Sequence, residues 1–239
     1  MEIRVAEKYE QLTGVQYAQR VVKGEIIAGK YIILECIRFL NDLNKIEDEE
    51  FEWYFDTDVY NFIMGFQNFF KFADGVMAGQ PMKLADFQEW ILANLFCWKH
   101  KQDGYVRFSK AYIQIARKQG KSMILGYIGF IKSLLENYSQ IFCCATKRDQ
   151  AEIVIKEIKK MLDNAIPSVK DRFTVYGKAR ISKIVCSLNM SELAPLSSDA
   201  NTLDGLGVDR NMSHYTEMYN ENLFNYWKLL LLRTTSSQA

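Results

Sequence analysis

Hydrophobic periodicity divides the chain into a helical N-terminal part and a part in which strand-like and helix-like segments alternate. Residues 24–45 carry apolar side chains at helical intervals, so we predict a helix with this face buried. The predicted stripe consists of Ile27, Tyr31, Leu34, Ile37 and Leu40, with Cys36 beside it. An aromatic-rich stretch with an acidic start follows at residues 47–72 and predicts a second helical layer.

From Leu84 onward the pattern changes to alternating element types. The predicted order is a helix, a strand, an apolar helix, a short buried strand and an amphipathic helix, at residues 84–96, 105–116, 122–136, 140–146 and 148–165. Strands that alternate with helices indicate a parallel sheet. We therefore predict an α/β fold in which residues 1–80 form a helical region packed on a core formed by residues 81–239.

The C-terminal third contains weaker signals. A hairpin is predicted around residues 173–188, a loop at 197–210, a short stretch at 211–219 and a helix at 221–232. Ser213 and His214 make residues 211–219 a poor buried strand. Thr234 and Thr235 are interpreted as the end of the last helix.

Composition narrows the classes of function. The 239 residues include 30 basic and 29 acidic side chains, so the net charge of +1 indicates no nucleic-acid partner by itself. Five cysteines, an odd number that lies mostly in apolar runs, indicate reduced buried thiols, and two histidines offer little to a zinc site. Without a leader sequence or a long apolar run, we expect a soluble protein that is not secreted.

The stretch IARKQGKSMI, residues 115–124, has the order that a phosphate-binding loop requires. A predicted strand ends at Ala116, a turn follows, and a helix begins near Lys121. Lys121 would reach the terminal phosphates, and Ser122 would contact Mg²⁺. The match to G-x-x-x-x-G-K-[ST] is incomplete because Ile115 stands where the pattern has glycine. A basic turn between two core elements therefore stays open as an alternative.

The segment ARKQGKS resembles the glycine-poor Walker A loop of the large terminase subunit, the DNA-packaging motor of tailed bacteriophages. The segments VVKGEIIAGKYI, LADFQEWILANLFCWK, CCATKRDQAEIV and LAPLSSDANTLDGLGVD are similar to that family in order and spacing, so the resemblance covers roughly residues 17–232. It implies a P-loop NTPase with a mainly parallel central sheet flanked by helices.

The resemblance also implies ATP and Mg²⁺ as cofactors, and hydrolysis that drives double-stranded DNA into a procapsid in the host cell cytoplasm. The implied partners are the portal protein and the small terminase subunit. The implied working form is a homo-oligomeric ring on the procapsid, although the isolated chain can be monomeric, and no membrane is involved. Since no room is left after the last predicted helix, we expect the chain to stop before the coupling strand and the nuclease domain.

Residue roles follow from the same resemblance. Gln88 matches the position that reads adenine, against the alternative of an exposed polar residue on its helix. The nucleotide would be held by Arg117, Lys118, Gln119, Gly120, Lys121 and Ser122. Arg117 matches a basic position that stabilises phosphate charge, against the alternative of a surface arginine. Glu217 matches the general base that activates water.

This chain departs from the family at Thr216, where the metal-orienting aspartate is expected. A threonine hydroxyl can hold a metal-bound water but brings no charge, so metal affinity and turnover should fall. The alternatives are a weakened ATPase, a changed residue or a shifted register. A second hypothesis follows, namely a nucleotide-binding assembly or docking module with weak or no hydrolysis. Arg148 is a further candidate, as a finger acting on a neighbouring subunit.

Overall fold

The computed structural model describes residues 2–116, 118–145, 148–178, 180–197, 214–218 and 227–231. Its contacts group into two compact units. Unit 1 comprises Met1–Gln67 and Lys83–Phe108, and unit 2 comprises Asn68–Met82 and Ser109–Ala239. Residues 83–108 therefore cluster with the N-terminal segment, and the predicted domain boundary at residue 80 stays a prediction.

Unit 1 is mainly helical, with one small antiparallel strand pair. Its elements are α1 (Glu7–Glu10), α2 (Thr13–Lys23), α3 (Lys30–Asn44), β1 (Trp53–Phe55), α4 (Thr57–Phe66), α5 (Asp86–Phe96) and β2 (Trp98–His100). β1 pairs with β2, so the prediction of helix throughout residues 47–72 was wrong at its start. Asp56 separates β1 from α4, because its Oδ1 accepts the N–H groups of Asp58 and Val59 as an N-cap.

The buried face of α3 differs from the predicted one. Ile27, Tyr31 and Leu34 are exposed, whereas the residues that face the core are Cys36, Phe39, Leu40 and Leu43. These four follow the spacing i, i+3, i+4, i+7, so α3 has an apolar stripe on each of two faces. The Phe39 ring packs edge-on against Phe55 and Trp98, at 5.9 and 6.0 Å between centroids. Aromatic packing thus selects which stripe is buried.

A buried ion cluster holds the C-terminal end of unit 1. The carboxylate of Asp42 accepts hydrogen bonds from Arg38 Nη1 at 2.7 Å and Arg107 Nη1 at 2.8 Å. The guanidinium of Arg107 lies 5.2–5.6 Å from the centroids of four rings, those of Phe51, Trp53, Trp98 and Phe108. Since a buried carboxylate is costly unless it is paired, this cluster ties residue 107 to α3.

Unit 2 contains the larger sheet. Its elements are α6 (Lys121–Leu135), β3 (Gln140–Ala145), α7 (Arg148–Asp163), α8 (Pro167–Lys170), β4 (Phe173–Tyr176), β5 (Lys183–Cys186), β6 (Glu192–Ser197), β7 (His214–Met218) and β8 (Trp227–Leu231). The predicted α5, α6, β3, α7 and the β4–β5 hairpin are all present.

The sheet is mixed, whereas a mainly parallel sheet was predicted. Four strands run in the order β3-β6-β5-β4, and only β3 and β6 are parallel. The β4–β5 and β5–β6 pairs are antiparallel, because short connections join strands that directly follow one another. The fold is thus α/β with a mixed sheet. None of the helices in the described ranges combines the length and hydropathy of a membrane span.

Two further predictions differ from the structure. Residues 227–231, predicted as helix, form β8, which pairs antiparallel with β7. Residues 111–116, predicted as strand, are assigned to no strand, although their exposure alternates from residue to residue. The Tyr112 hydroxyl lies 3.1 Å from Gln114 Oε1, as expected for extended chain in which residues i and i+2 share a face. The predicted loop at 197–210 lies mostly outside the described residues, as do Thr234 and Thr235.

Tight packing of α2 against α5 generates a test of the fold. A Cβ at Gly14 would lie 3.1 Å from the backbone Cα of Trp90, whereas a Cβ at Gly65 in α4 would meet nothing within 4 Å. We expect Gly14→Ala to destabilise the protein by about 1–3 kcal/mol through overpacking. Gly65→Ala should instead stabilise it, by up to about 1 kcal/mol through helix propensity. Urea unfolding of both variants is the measurement, and equal effects would contradict the close approach.

Candidate nucleotide site

The loop before α6 has the backbone shape of an anion-binding turn. Lys118 and Gly120 are both left-handed, with φ of 65° and 71°. Gly120 is the N-cap of α6, and its carbonyl accepts the N–H of Ile124 at 2.9 Å. Glycine tolerates this conformation without cost, so the turn closes here and the apolar run that follows continues as a helix. Left-handed residues in such turns direct successive N–H groups toward a common point.

Lys121 and Ser122 occupy the first turn of α6. The Lys121 side chain is 8% exposed and Ser122 is half-buried, whereas Lys118, Gln119 and Gly120 are exposed. The N–H groups of a first helical turn have no acceptor within their own helix. The first turn of α6 thus carries N–H groups free of intrahelical acceptors, the positive end of the helix dipole and a buried lysine, which are features of helix N-termini that bind phosphate.

The structure describes the other predicted site residues unequally. Arg117 lies outside the described residues. Thr216 and Glu217 are consecutive residues of β7, opposite Leu229 and Lys228 of β8. β7 lies beside β3, the strand that follows α6. Residues 214–218 therefore form a strand, although Ser213 and His214 made a strand there unfavourable. Glu217 lies in this strand, which is adjacent to β3.

Gln88 is buried rather than exposed, so the alternative of an exposed polar residue was wrong. Its side chain is 4% exposed at the N-terminal end of α5 in unit 1, and its Oε1 accepts the N–H of Ala85 at 3.0 Å. This bond satisfies one of the N–H groups at the start of α5. A role in adenine binding stays a prediction.

Glu89, next to Gln88, is a buried acid that sequence reasoning missed. It is 5% exposed, and its Oε2 accepts a hydrogen bond from the Tyr60 hydroxyl at 3.3 Å. The Tyr60 oxygen in turn accepts the N–H of Gly14 at 3.1 Å. Burial raises the pKa of Glu89, and hydrogen bonds from Gln67, Thr13 and Tyr60 oppose that rise. The available signal in the sequence was the spacing, because Glu89 lies three residues before Leu92, which is buried, and residues at this spacing share a helix face.

The lysines of α7 form local ion pairs. On α7, Lys156 pairs with Glu152 at 3.3 Å, Lys160 with Glu157 at 2.9 Å, and Lys159 with Asp163. The lysines themselves are exposed or half-buried, whereas Glu152 is buried. Arg148 is the first residue of α7, directly after the carboxyl end of β3. Within the described ranges, no cluster of three His, Cys, Asp or Glu side chains is suited to hold a metal.

The buried acid makes a pH-dependent prediction. The pKa of Glu89 is raised from 4.5 in the folded state, so above pH 4.5 the unfolded chain releases a proton that the folded chain retains. The free energy of unfolding should therefore fall as pH rises through this window. Glu89→Gln removes the ionisation, so its stability relative to wild type should increase from pH 4.5 to pH 7.5 in urea unfolding. A stability difference between Glu89→Gln and wild type that does not change with pH would contradict the raised pKa of Glu89.

Comparisons with known proteins identify the family. The family model for the terminase large subunit, ATPase domain, matches residues 86–219. The crystal structure of the HK97 bacteriophage large terminase is similar over 59% of this chain, with a TM-score of 0.48 and 24% sequence identity. That similarity covers 28% of the HK97 chain, so the present chain spans less than a third of it. No curated protein sequence matches. Because the family model covers more than half of the 239 residues, the chain belongs to the family of terminase large-subunit ATPase domains.

Proposed function

We propose that this domain binds and hydrolyses ATP with Mg²⁺, and that hydrolysis drives double-stranded DNA into a procapsid. The observation that carries the proposal is the buried Lys121 at the N-terminus of α6, directly after left-handed Gly120 and inside the matched span. A lysine is disfavoured at a helix N-terminus because its ammonium group and that end of the helix dipole are both positive. A bound polyphosphate reverses that penalty, and this supports ATP as the ligand.

Residues 117–122 would hold the phosphates. In this proposal, the N–H groups of the Lys118–Gly120 turn and of the first turn of α6 surround the phosphate oxygens. Lys121 neutralises charge on the terminal phosphates, and Arg117 stabilises the charge that develops during transfer. Gln88, at the N-terminal end of α5 in unit 1, would read the adenine.

The residues present fit Mg²⁺. This ion commonly binds through one or two protein oxygens together with substrate phosphates and waters, so a dedicated carboxylate cage is unnecessary. The half-buried Ser122 hydroxyl beside the loop is one such oxygen, and Thr216 is proposed to hold a metal-bound water. When bound, Mg²⁺ would neutralise charge on the phosphates. Glu217 would accept the proton of the attacking water.

The motor role is proposed from the family. The partners would be double-stranded DNA, the portal protein and the small terminase subunit, in a homo-oligomeric ring on the procapsid in the host cytoplasm. Such a ring would require neighbouring copies for force generation, whereas ATP binding is a property of the single chain. The tests below therefore use the isolated chain.

Lys121→Met should abolish most ATP turnover. Methionine keeps the buried aliphatic stem and removes the charge, so the fold should persist while kcat/KM falls by at least about a hundredfold. Turnover is measured by phosphate release with saturating Mg²⁺. The control is Lys110→Met, at an exposed lysine before the loop. Equal rates in wild type and Lys121→Met would remove Lys121 from the mechanism.

A second candidate function, the docking module with weak or no hydrolysis, is favoured by Thr216. We expect Thr216→Asp to lower the Mg²⁺ concentration for half-maximal turnover by about tenfold, because an added carboxylate strengthens a hard-cation site. Thr216→Asn is the matched control, since it has the same shape as aspartate without the charge. If aspartate and asparagine behave alike and turnover stays at background, the docking module is the better account.

A further inference from the structure

The C-terminal end of α6 is held by a turn from the sheet. Residues 187–191 connect β5 to β6, and Asn189 lies at the centre of this turn. Its Nδ2 donates to two carbonyls at the C-terminal end of α6, that of Ser133 within the helix at 2.7 Å and that of the C-cap residue Glu136 at 2.8 Å. The Ser191 hydroxyl also donates to the Glu136 carbonyl, at 2.7 Å. Carbonyls at a helix end that have no intrahelical donor are thus satisfied by the sheet.

The same turn is bonded to the chain that leaves α6. The N–H of Tyr138 donates to the carbonyl of Asn189 at 2.8 Å, and the N–H of Ser139 donates to the Ser191 hydroxyl at 3.1 Å. Tyr138 and Met190 are both left-handed, with φ of 55° and 59°. Non-glycine residues adopt this conformation at a cost, so the surrounding bonds impose it. The turn therefore has one well-determined arrangement against α6.

This contact differs from an ordinary helix cap. At the end of α7, Asn164 Nδ2 donates to the carbonyl of Lys160 at 2.9 Å, four residues earlier in the chain. That bond caps the helix from its own end and joins it to nothing else. Asn189 lies 56 and 53 residues from its two acceptors, so it links α6 to β5 and β6. We call these two bonds the Asn189 tether.

We propose that Asn189 is a positioning residue for the phosphate loop. The tether fixes α6 along its own axis against the sheet, and a buried 15-residue helix moves as one rigid element. Lys121 and the first-turn N–H groups therefore take their position from a bond at the opposite end of the helix. This inference rests on the proposed function of the loop, and small displacements of positioned groups are costly to binding and rate.

Asn189→Asp separates the tether from the folding of the turn. Asparagine Oδ1 accepts the N–H of Ser191 at 3.2 Å, and aspartate retains that acceptor. Aspartate has no N–H to donate, so both bonds to α6 are lost. Asn164→Asp is the matched control, because it removes the same kind of bond from α7 and also places a carboxylate near a helix C-terminus.

The first measurement is equilibrium binding of a non-hydrolysable ATP analogue with Mg²⁺ by calorimetry, beside urea unfolding. We expect Asn189→Asp to weaken binding by about tenfold. Asn164→Asp should lower stability similarly but change the dissociation constant by less than about twofold. Equal weakening in the two variants would assign Asn189 a purely structural role, and unchanged binding in Asn189→Asp would also overturn the proposal.

The second measurement needs no nucleotide. The N–H of Ile124, bonded to Gly120, reports on the first turn of α6 by hydrogen exchange. We expect this amide to exchange faster in Asn189→Asp than in wild type or Asn164→Asp. If wild type binds no nucleotide, the proposed function fails, yet faster exchange would still support the tether. Unchanged exchange at Ile124 would reject the tether even where nucleotide binds.

Discussion

The rest of this domain depends on one constraint at the start of α6. There, a positively charged side chain is buried at the positive end of a helix dipole. Lys121 is 8% exposed and is the first residue of α6, so both desolvation and the helix dipole disfavour its ammonium group. In the proposed function, a bound anion at that place would offset both effects. Left-handed Gly120 allows the chain to turn toward the same place immediately before the helix.

The packing of unit 2 serves to hold this helix in place. Gly126 and Gly129 on α6 lack side chains where Ile158 of α7 and Leu193 of β6 approach, at 3.4 and 3.3 Å from the positions of a Cβ. α6 therefore packs closely against both α7 and the sheet. Apolar packing alone resists sideways movement but permits sliding, because it is not directional. Directional hydrogen bonds from Asn189 oppose sliding, so the two kinds of contact are complementary.

Sequence reasoning succeeded where the signal is local. The segments of α5, α6 and α7 are long and periodic, and these three helices were predicted correctly. It failed on α3, because Tyr31 and Leu34 form a stripe as regular as that of Phe39 and Leu43. The choice between the stripes is made by Phe55 and Trp98, which lie farther along the chain. It failed on β8, because a short stretch with four apolar residues out of five suits helix and strand equally. The contacts of Glu89 and Asn189 could not be predicted from local patterns, because their hydrogen-bond partners lie 29 to 56 residues away in the sequence.

The two helix N-termini that carry predicted nucleotide-binding residues differ in their polar contacts. At the start of α5, Gln88 accepts the N–H of Ala85, and the adjacent Glu89 is hydrogen-bonded by Tyr60. Much of the polar capacity at that end is therefore used within unit 1. The start of α6 instead carries the buried Lys121 together with the positive end of the helix dipole. In the proposed function, the positive charge at the start of α6 would therefore favour the phosphates of the nucleotide.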